Sequence, residues 1–394
     1  MPQNLAAGRG RHLACYTTPP MISGFATPEG TARYRERFPQ LRDAGHFRHA
    51  QGVPGAGELW LSSIGLGTYL GEPTAAFDAG YTAAAQAALA GGINLLDTAI
   101  NYRHQRSERN LGAALQKLIA ASELQRDEVV ICTKAGYLCF DADMPADPRA
   151  YFMKEYVEPG IVDPKEIAGG MHCMSPKYLA DQIERSLSNL GLETLDVFYV
   201  HNPESQLDHV APTVFRQRLK DAFAMLEEAV AAGKIRYYGT ATWNAYRVPP
   251  GQRGSMPLAA VVDVAREAGG DQHHFRFIQL PFNLGMPEAY ALPNQQAGEE
   301  MLSVVRLAAR SGVAVIGSAT LHQGQLTEGL PEFIGKHLGM STDAENAIQF
   351  ARSAPGIAAA LIGMSREEHV AANLKVAARP LTPSAEWEKL FVKK

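Results

Sequence analysis

The sequence predicts an α/β protein built on an eight-stranded parallel (β/α)8 barrel of the TIM type, and three observations lead to this prediction. First, eight short runs of β-branched or apolar residues alternate with eight segments of helical period. Second, glycines such as Gly191 and Gly233 stand where a helical segment stops before the next run. Third, the fingerprint of an open dinucleotide-binding sheet is missing, because Gly71 follows Gly67 one residue too late. Eight consecutive β-α units therefore favour a closed barrel over a doubly wound sheet.

The individual elements follow from the same periodicity. The predicted strands cover residues 62–68, 94–99, 129–134, 196–201, 235–240, 277–282, 313–318 and 358–363. The predicted helices cover residues 79–90, 108–121, 176–190, 215–232, 258–267, 298–310, 342–352 and 367–378. The helix at 176–190 has the clearest start, because Ser175 is a capping residue and Pro176 suits the first helical position.

Two regions lie outside this alternation. Residues 1–58 are rich in Gly, Pro, Arg and His, and we interpret them as an irregular N-terminal extension packed on a barrel that spans 59–394. Three further segments, 135–175, 284–297 and 320–341, are too long for simple connections. Each follows a strand, so each is expected at the C-terminal face of the barrel, where barrel enzymes place their active sites.

The composition excludes several classes of function. The 394 residues carry a net charge of −4, which favours neither nucleic acid nor an anionic membrane as a partner. No apolar stretch approaches the ~20 residues needed to cross a bilayer, and no secretory signal is recognised at the N-terminus. The four cysteines form no CxxC pair, which is typical of a reducing compartment. We therefore expect a cytoplasmic protein without a disulfide scaffold.

Four chemically active side chains fall at the ends of three neighbouring predicted strands. Strand two ends near Asp97 and leads to Tyr102, strand three ends with Lys134, and strand four ends with His201. Adjacent strands lie ~4.8 Å apart, so the three ends span only about 10 Å. An acid, a phenol, an amine and an imidazole are thus expected at one barrel mouth.

This group suits general acid catalysis. An ammonium group next to a phenol lowers its pKa by favouring the phenolate, so Lys134 would tune Tyr102, and Asp97 would hold Lys134 in place. Tyr102 would then give its proton to a carbonyl oxygen while His201 orients the substrate. Each residue also has a structural interpretation, such as capping by Asp97 or a satisfied buried lysine or histidine, and only their convergence favours catalysis.

Residues 97–102 (DTAINY), followed by Ser107-Glu108 and Leu111-Gly112, resemble a signature of the aldo-keto reductases. Lys134 and His201 match that family's other two tetrad positions, and the resemblance extends from about residue 59 to 378. It implies an α/β barrel that reduces an aldehyde or ketone, with Asp97, Tyr102, Lys134 and His201 as the catalytic residues. It also implies a small carbonyl compound as the substrate.

The resemblance further implies a nicotinamide cofactor, NADPH in preference, with NADH possible. Gln279 matches a glutamine that contacts the carboxamide in that family, whereas Ala241-Thr242 replace the usual Ser-Asn and Ser318 stands where an aromatic residue is common. The adenosine end is expected near residues 363–373. The predicted cofactor-binding residues are Gln279, Ser318, Gly363, Ser365, Arg366 and Asn373.

Two of these residues carry the preference for NADPH. Ser365 is expected to be the N-cap of the last helix of the barrel, whose free N–H groups would face a phosphate. Arg366 would add a guanidinium that can hold the 2′-phosphate in two contacts. The alternative is that Arg366 is an exposed residue paired with a nearby carboxylate.

Two other functions stay open at this point. The altered carboxamide contacts would suit redox-neutral chemistry on a tightly bound nicotinamide cofactor, such as isomerisation, dehydration or glycoside cleavage. A non-catalytic cofactor-sensing module that binds a protein partner is the third possibility, and the intact tetrad argues against it.

No HExxH or phosphate-binding loop motif is present, and we expect no metal. Arg103, His104 and Arg106 are candidates for binding an acidic substrate group, although solvated loop charges are more common.

Overall fold

The protein is described by a computed structural model that covers residues 21–50 and 53–391. Its strands, numbered along the chain within those ranges, are β1 Phe47–His49, β2 Trp60–Ser62, β3 Ile64–Gly67, β4 Leu95–Asp97, β5 Val130–Ala135, β6 Leu195–His201, β7 Ile235–Ala241, β8 Phe275–Pro281, β9 Gln295–Ala297, β10 Glu300–Leu302, β11 Ala314–Ser318 and β12 Ile357–Gly363.

The α-helices are numbered in the same way, and short 3-10 and π-helical turns occur between them. They are α1 Pro28–Glu36, α2 Pro39–Asp43, α3 Ala75–Gly91, α4 Arg106–Ala120, α5 Pro148–Phe152, α6 Pro176–Leu190, α7 Pro212–Ala231, α8 Leu258–Gly269, α9 Glu288–Ala291, α10 Val304–Arg310, α11 Glu332–Leu338, α12 Asp343–Ser353, α13 Glu367–Ala377 and α14 Ser384–Glu388. None of them, in the part of the chain described, is both long and apolar enough to cross a membrane.

The predicted barrel is confirmed. Strands β3 to β8, then β11 and β12, form a closed parallel barrel in which β12 pairs with β3. Alternate side chains of these strands point inward and pack in a core of their own, which includes Leu95, Val130 and Tyr199. Ala50, Val53 and Leu61 join this inner core from the segment before β3. The interior is therefore filled at its N-terminal end, as expected for an eight-stranded barrel.

The N-terminal extension is more regular than the sequence predicted. Thr27 caps α1 by accepting a hydrogen bond from the N–H of Gly30, and Pro28 occupies the first turn. The strand β1 pairs with β2 in antiparallel fashion. The description of residues 1–58 as irregular is thus wrong for 28–49, because a capped helix and a strand pair satisfy the backbone there. Residues 1–20 and 51–52 lie outside the described residues.

Two further segments differ from the predicted elements. The predicted helix at 298–310 begins only at Val304, because residues Gln295–Ala297 and Glu300–Leu302 pair as an antiparallel hairpin. The predicted long loop at 320–341 contains the helix α11. The segment at 320–341 follows β11 at the C-terminal face of the barrel, as the sequence predicted.

Candidate active site

The barrel topology brings the four predicted catalytic residues to one end. Asp97 is the last residue of β4, Lys134 the last but one of β5, and His201 the last of β6. These three strands are neighbours in the barrel, and Tyr102 lies in the turn that follows β4. The structure therefore places all four side chains together at the C-terminal mouth.

A buried charge network forms the floor of the site. The Lys134 ammonium lies 2.5 Å from Asp97 Oδ1 and donates to the Thr98 carbonyl at 2.7 Å. The other carboxylate oxygen of Asp97 accepts a hydrogen bond of 2.7 Å from Gln279 Nε2. Burial raises the pKa of Asp97, and the opposing charge of Lys134 works against that rise. Burial alone would lower the pKa of Lys134, but its interactions, above all the charge of Asp97 and the hydrogen bond to that carboxylate, outweigh burial, so the pKa is raised and the amine stays protonated.

Tyr102 stands directly over this network. The Lys134 Nζ atom lies 4.9 Å from the centre of the Tyr102 ring. Burial raises the pKa of Tyr102 above its ordinary value, whereas the Lys134 charge opposes that rise. The net direction is upward, so the phenol stays protonated and able to donate near neutral pH. The charge of Lys134 acts in the direction that the sequence analysis expected, but burial has the larger effect, so the net shift of the Tyr102 pKa is opposite to the expected one.

His201 contributes a neutral imidazole. Its ring meets the Tyr102 ring edge to face, with 5.8 Å between centroids, and meets Tyr137 in the same way at 5.3 Å. Burial, together with the Lys134 charge, holds the pKa of His201 well below its usual range. A neutral ring next to the phenol can orient a carbonyl group, but it carries no positive charge near pH 7.

The backbone of His201 is held by a chain of hydrogen bonds that the sequence did not predict. His172 Nε2 donates to the His201 carbonyl at 2.8 Å, and His172 Nδ1 accepts from Gln206 Nε2 at 3.1 Å. Gln206 in turn accepts a hydrogen bond of 2.8 Å from Arg218 on α7. Because both ring nitrogens of His172 are engaged and its pKa falls to about 4 through burial, the imidazole is neutral and its tautomer is fixed.

A cavity of about 990 Å³ opens above the tetrad and reaches the start of α13. Asp97, Tyr102 and His201 line one part of it, whereas Lys134 lies fully buried beneath. Most of the predicted cofactor-binding residues also line it, namely Gln279, Ser318, Gly363 and Asn373. The cavity is thus continuous between the predicted catalytic and adenosine regions.

Ser365 and Arg366 do not line this cavity. The N-cap of α13 is Arg366, with extended backbone angles and no side-chain capping bond, so the prediction of Ser365 as N-cap is wrong by one residue. The Ser365 backbone packs against α3, where a Cβ on Gly80 would lie 2.6 Å from its carbonyl oxygen. The Arg366 side chain is exposed.

Ala241 and Thr242, which replace the usual Ser-Asn contacts to the nicotinamide carboxamide, lie at the last position of β7 and directly after it, and both line the cavity. The Thr242 backbone N–H donates to the Gln279 carbonyl at 2.8 Å, and its hydroxyl is directed to the same oxygen at 3.4 Å. The hydroxyl of Thr242 therefore supports β8.

Within residues 21–50 and 53–391, His, Cys, Asp and Glu side chains form no group of three that could hold a metal ion.

Three buried polar atoms among the lining residues have no hydrogen-bond partner within residues 21–50 and 53–391. They are Asn101 Oδ1, His201 Nδ1 and Thr320 Oγ1. An unsatisfied buried polar group costs about 1–3 kcal/mol, so such a group in a cavity wall is suited to a polar ligand. The donors and acceptors present here fit a ligand with amide and hydroxyl groups, as a nicotinamide nucleotide has.

The comparisons with known proteins agree with the barrel. Residues 63–390 match the profile of the Aldo/keto reductase family. The chain is 25% identical over 340 residues to D-threo-aldose 1-dehydrogenase from a Pseudomonas species, a match that covers 77% of this chain and 85% of that protein. It is 31% identical over 158 residues to L-glyceraldehyde 3-phosphate reductase from Escherichia coli, but this match covers 40% of the chain and only 34% of that protein.

Among solved structures, the glycerol dehydrogenase AKR11B4 from Gluconobacter oxydans superimposes with a TM-score of 0.58 at 19% identity, covering 88% of this chain and 94% of that one. The family profile extends over most of the chain, and the tetrad resemblance falls within it. The chain belongs to the aldo/keto reductase family.

Proposed function

We propose that this protein reduces an aldehyde or ketone to the alcohol, with Tyr102 as general acid and NADPH, or NADH, as the hydride source. The observation that carries the proposal is the position of Tyr102 above the buried Lys134–Asp97 pair at the mouth of a large cavity. The names of the two relatives, an aldehyde reductase and an aldose dehydrogenase, support chemistry between carbonyl and alcohol.

Each residue of the tetrad has its own role in the proposed reduction. A bound nicotinamide cofactor supplies the hydride to the carbonyl carbon. Tyr102 gives its phenolic proton to the carbonyl oxygen, and the Lys134 ammonium stabilises the phenolate that is left. Asp97, held by Gln279, keeps Lys134 in position, and the neutral His201 orients the carbonyl oxygen. One reduced cofactor is consumed for each alcohol formed.

The first experiment measures net oxidation of NADPH and NADH with a panel of aldehydes. Stoichiometric formation of alcohol and oxidised cofactor supports the proposal. If substrates are converted without any change in cofactor absorbance, the chemistry is redox-neutral and the proposal is wrong.

We propose that NADPH binds more tightly than NADH, with Arg366 near the 2′-phosphate. Arg366 stands at the N-terminus of α13, where the helix dipole favours an anion, and its exposed side chain has no carboxylate partner in the described part of the chain. His369 and Asn373 on the same helix line the cavity, which supports an adenosine end nearby. Ser365, one residue before the cap, would take part through its hydroxyl or backbone.

Dissociation constants for both cofactors test this assignment. Arg366→Ala should weaken NADPH by roughly tenfold, the loss of one charge-assisted contact, and leave NADH nearly unchanged. The matched control is Lys375→Ala, an exposed cation further along α13, which should change neither constant. Equal weakening of both cofactors by Arg366→Ala, or a wild-type preference for NADH, would show that Arg366 does not read the 2′-phosphate.

We also propose that residues 59–394 form the barrel unit with the preceding segment packed on it. The Ala26 N–H donates to Asp196 at 2.7 Å and the Tyr34 hydroxyl to the Leu89 carbonyl at 2.5 Å, which supports a tightly joined extension.

A cytoplasmic location is supported by the three buried free thiols Cys132, Cys139 and Cys173. The net charge of −4 gives no reason to expect a nucleic acid partner.

A further inference from the structure

We infer that the carbonyl substrate is uncharged and carries an apolar or aromatic group, and that phosphorylated and carboxylated carbonyl compounds are poor substrates. The inference rests on the proposed reductase function and adds the chemical class of its substrate. It depends on the charges and the exposed surfaces at the cavity mouth.

The wall of the cavity offers no fixed cation to an anionic substrate. Neither lysine nor arginine appears among its lining residues in the described ranges, and Lys134 is sealed beneath with its charge matched by Asp97. Two histidines on the catalytic side, His104 and His201, have their pKa values lowered by burial and are neutral near pH 7. A substrate phosphate or carboxylate that leaves water next to the tetrad, where no cation can pair with it, loses much more than it gains, whereas a cofactor phosphate at the α13 end would face Arg366 and the helix N-terminus.

The arginines next to Tyr102 are directed away from the cavity. Arg103 is buried and donates to Asn110 Oδ1 at 2.8 Å and to Asp78 Oδ1 at 2.6 Å. Arg106 donates to the other oxygen of Asp78 at 2.7 Å. The prediction that these arginines could bind an acidic substrate is therefore wrong, because both are paired with Asp78 on α3 and Arg106 also pairs with Asp143.

A third arginine near the mouth helps to build an apolar wall. Arg247 donates to the Trp243 carbonyl at 3.1 Å and pairs with Glu288. On its other side, the Trp243 N–H donates to the buried Glu204 at 2.6 Å. The Trp243 backbone is thus held from both sides, and the residue lines the cavity.

Four large apolar side chains that line the cavity are left exposed to solvent at its mouth. They are Tyr69, Leu70, Met171 and Trp243, with 58%, 45%, 55% and 43% of their surface exposed. They come from the loops after β3, β5 and β7, so they surround the opening. Apolar surface gathered at a cavity mouth favours a ligand that covers it, at roughly 25 cal/mol for each Å² removed from water.

The test compares matched neutral and anionic aldehydes. The two pairs are benzaldehyde with para-carboxybenzaldehyde and glyceraldehyde with its 3-phosphate, each measured as kcat/KM with saturating cofactor. We expect the neutral member to be favoured by roughly tenfold to a hundredfold in both pairs, and benzaldehyde to exceed glyceraldehyde. Preference for the anionic member, or equal rates within each pair, would overturn the inference while leaving the reductase function intact.

Designed variants sharpen the result. Met171→Lys places a cation on the rim and should raise kcat/KM for para-carboxybenzaldehyde severalfold. Met144→Lys is the matched control, because Met144 is also an exposed methionine between β5 and α6 but does not line the cavity. Trp243→Ala should raise KM for benzaldehyde and hardly affect glyceraldehyde. If Met171→Lys and Met144→Lys change kcat/KM for para-carboxybenzaldehyde equally, charge at the cavity mouth does not select the substrate. If no aldehyde leads to oxidation of NADPH or NADH, the reductase function itself is wrong.

Discussion

Replacing Lys134 by methionine removes the one buried ammonium beneath Tyr102, in the described part of the chain, while nearly preserving the volume of the side chain. Two unit charges about 5 Å apart, the distance from Lys134 Nζ to the Tyr102 ring, interact with about 3 kcal/mol at an effective dielectric constant near 20. This energy is available to the phenolate that forms as the proton leaves. We therefore expect kcat to fall roughly a hundredfold in Lys134→Met.

The pH dependence should move in a defined direction. Lys134 lowers the pKa of Tyr102 against the effect of burial, so its removal should raise that pKa further. Because the acid must be protonated to act, the alkaline limb of kcat/KM should shift to higher pH, and this is read by steady-state rates from neutral to strongly alkaline buffer. An alkaline limb at the wild-type position would refute the role of Lys134 in tuning Tyr102.

A second variant separates tuning from folding. Lys134→Met leaves Asp97 buried without its cation, which should lower the free energy of unfolding by about 3–5 kcal/mol in urea titrations. The double variant Asp97→Asn/Lys134→Met removes both charges and should recover most of that stability. Its kcat should stay low, because the ammonium is still absent. Recovery of both stability and kcat would show that the pair serves folding alone.

Three further predictions concern the support of His201, a buried ion pair at the start of β6 and the charge state of His201. His172→Leu breaks the bonds to Gln206 and to the His201 carbonyl, so kcat should fall by roughly tenfold to a hundredfold while the dissociation constant of NADPH stays the same. Asp196→Ala leaves the buried Arg126 unpaired and should lower the free energy of unfolding by about 3–5 kcal/mol, whereas Asp263→Ala, in an exposed pair, should change it far less. Since His201 is neutral, the rate of the wild type should show no histidine inflection between about pH 6 and 8.

The sequence predicted the barrel and the tetrad because both depend on short-range patterns. Strand and helix periods differ, and the ends of successive parallel strands must meet, so Asp97, Lys134 and His201 could be placed together without coordinates. The helix α1 was not predicted, although Thr27-Pro28 is a typical capping pair at a helix start. The high Gly, Pro and Arg content of the extension suggested an irregular segment instead.

Other features depend on contacts that no local pattern encodes. Arg103, His104 and Gln105 take left-handed backbone angles one after another, with φ of 49°, 55° and 71°, and this directs Arg103 inward to Asp78. Such angles are uncommon for residues other than glycine, so the sequence gives no sign of them. The contact of His172 with the His201 carbonyl likewise joins a long loop to a strand end, and only the folded chain brings them together.

The variant Tyr102→Phe shows whether Tyr102 supplies the proton to the carbonyl oxygen. The variant removes only the hydroxyl, so the ring can still pack against His201 and above Lys134. With an aldehyde that the wild type reduces, kcat should fall by roughly 10²–10⁴-fold, while the dissociation constant of NADPH, measured by fluorescence titration, stays within about twofold. Wild-type kcat in Tyr102→Phe would contradict the account, because the proton would then have to come from another group.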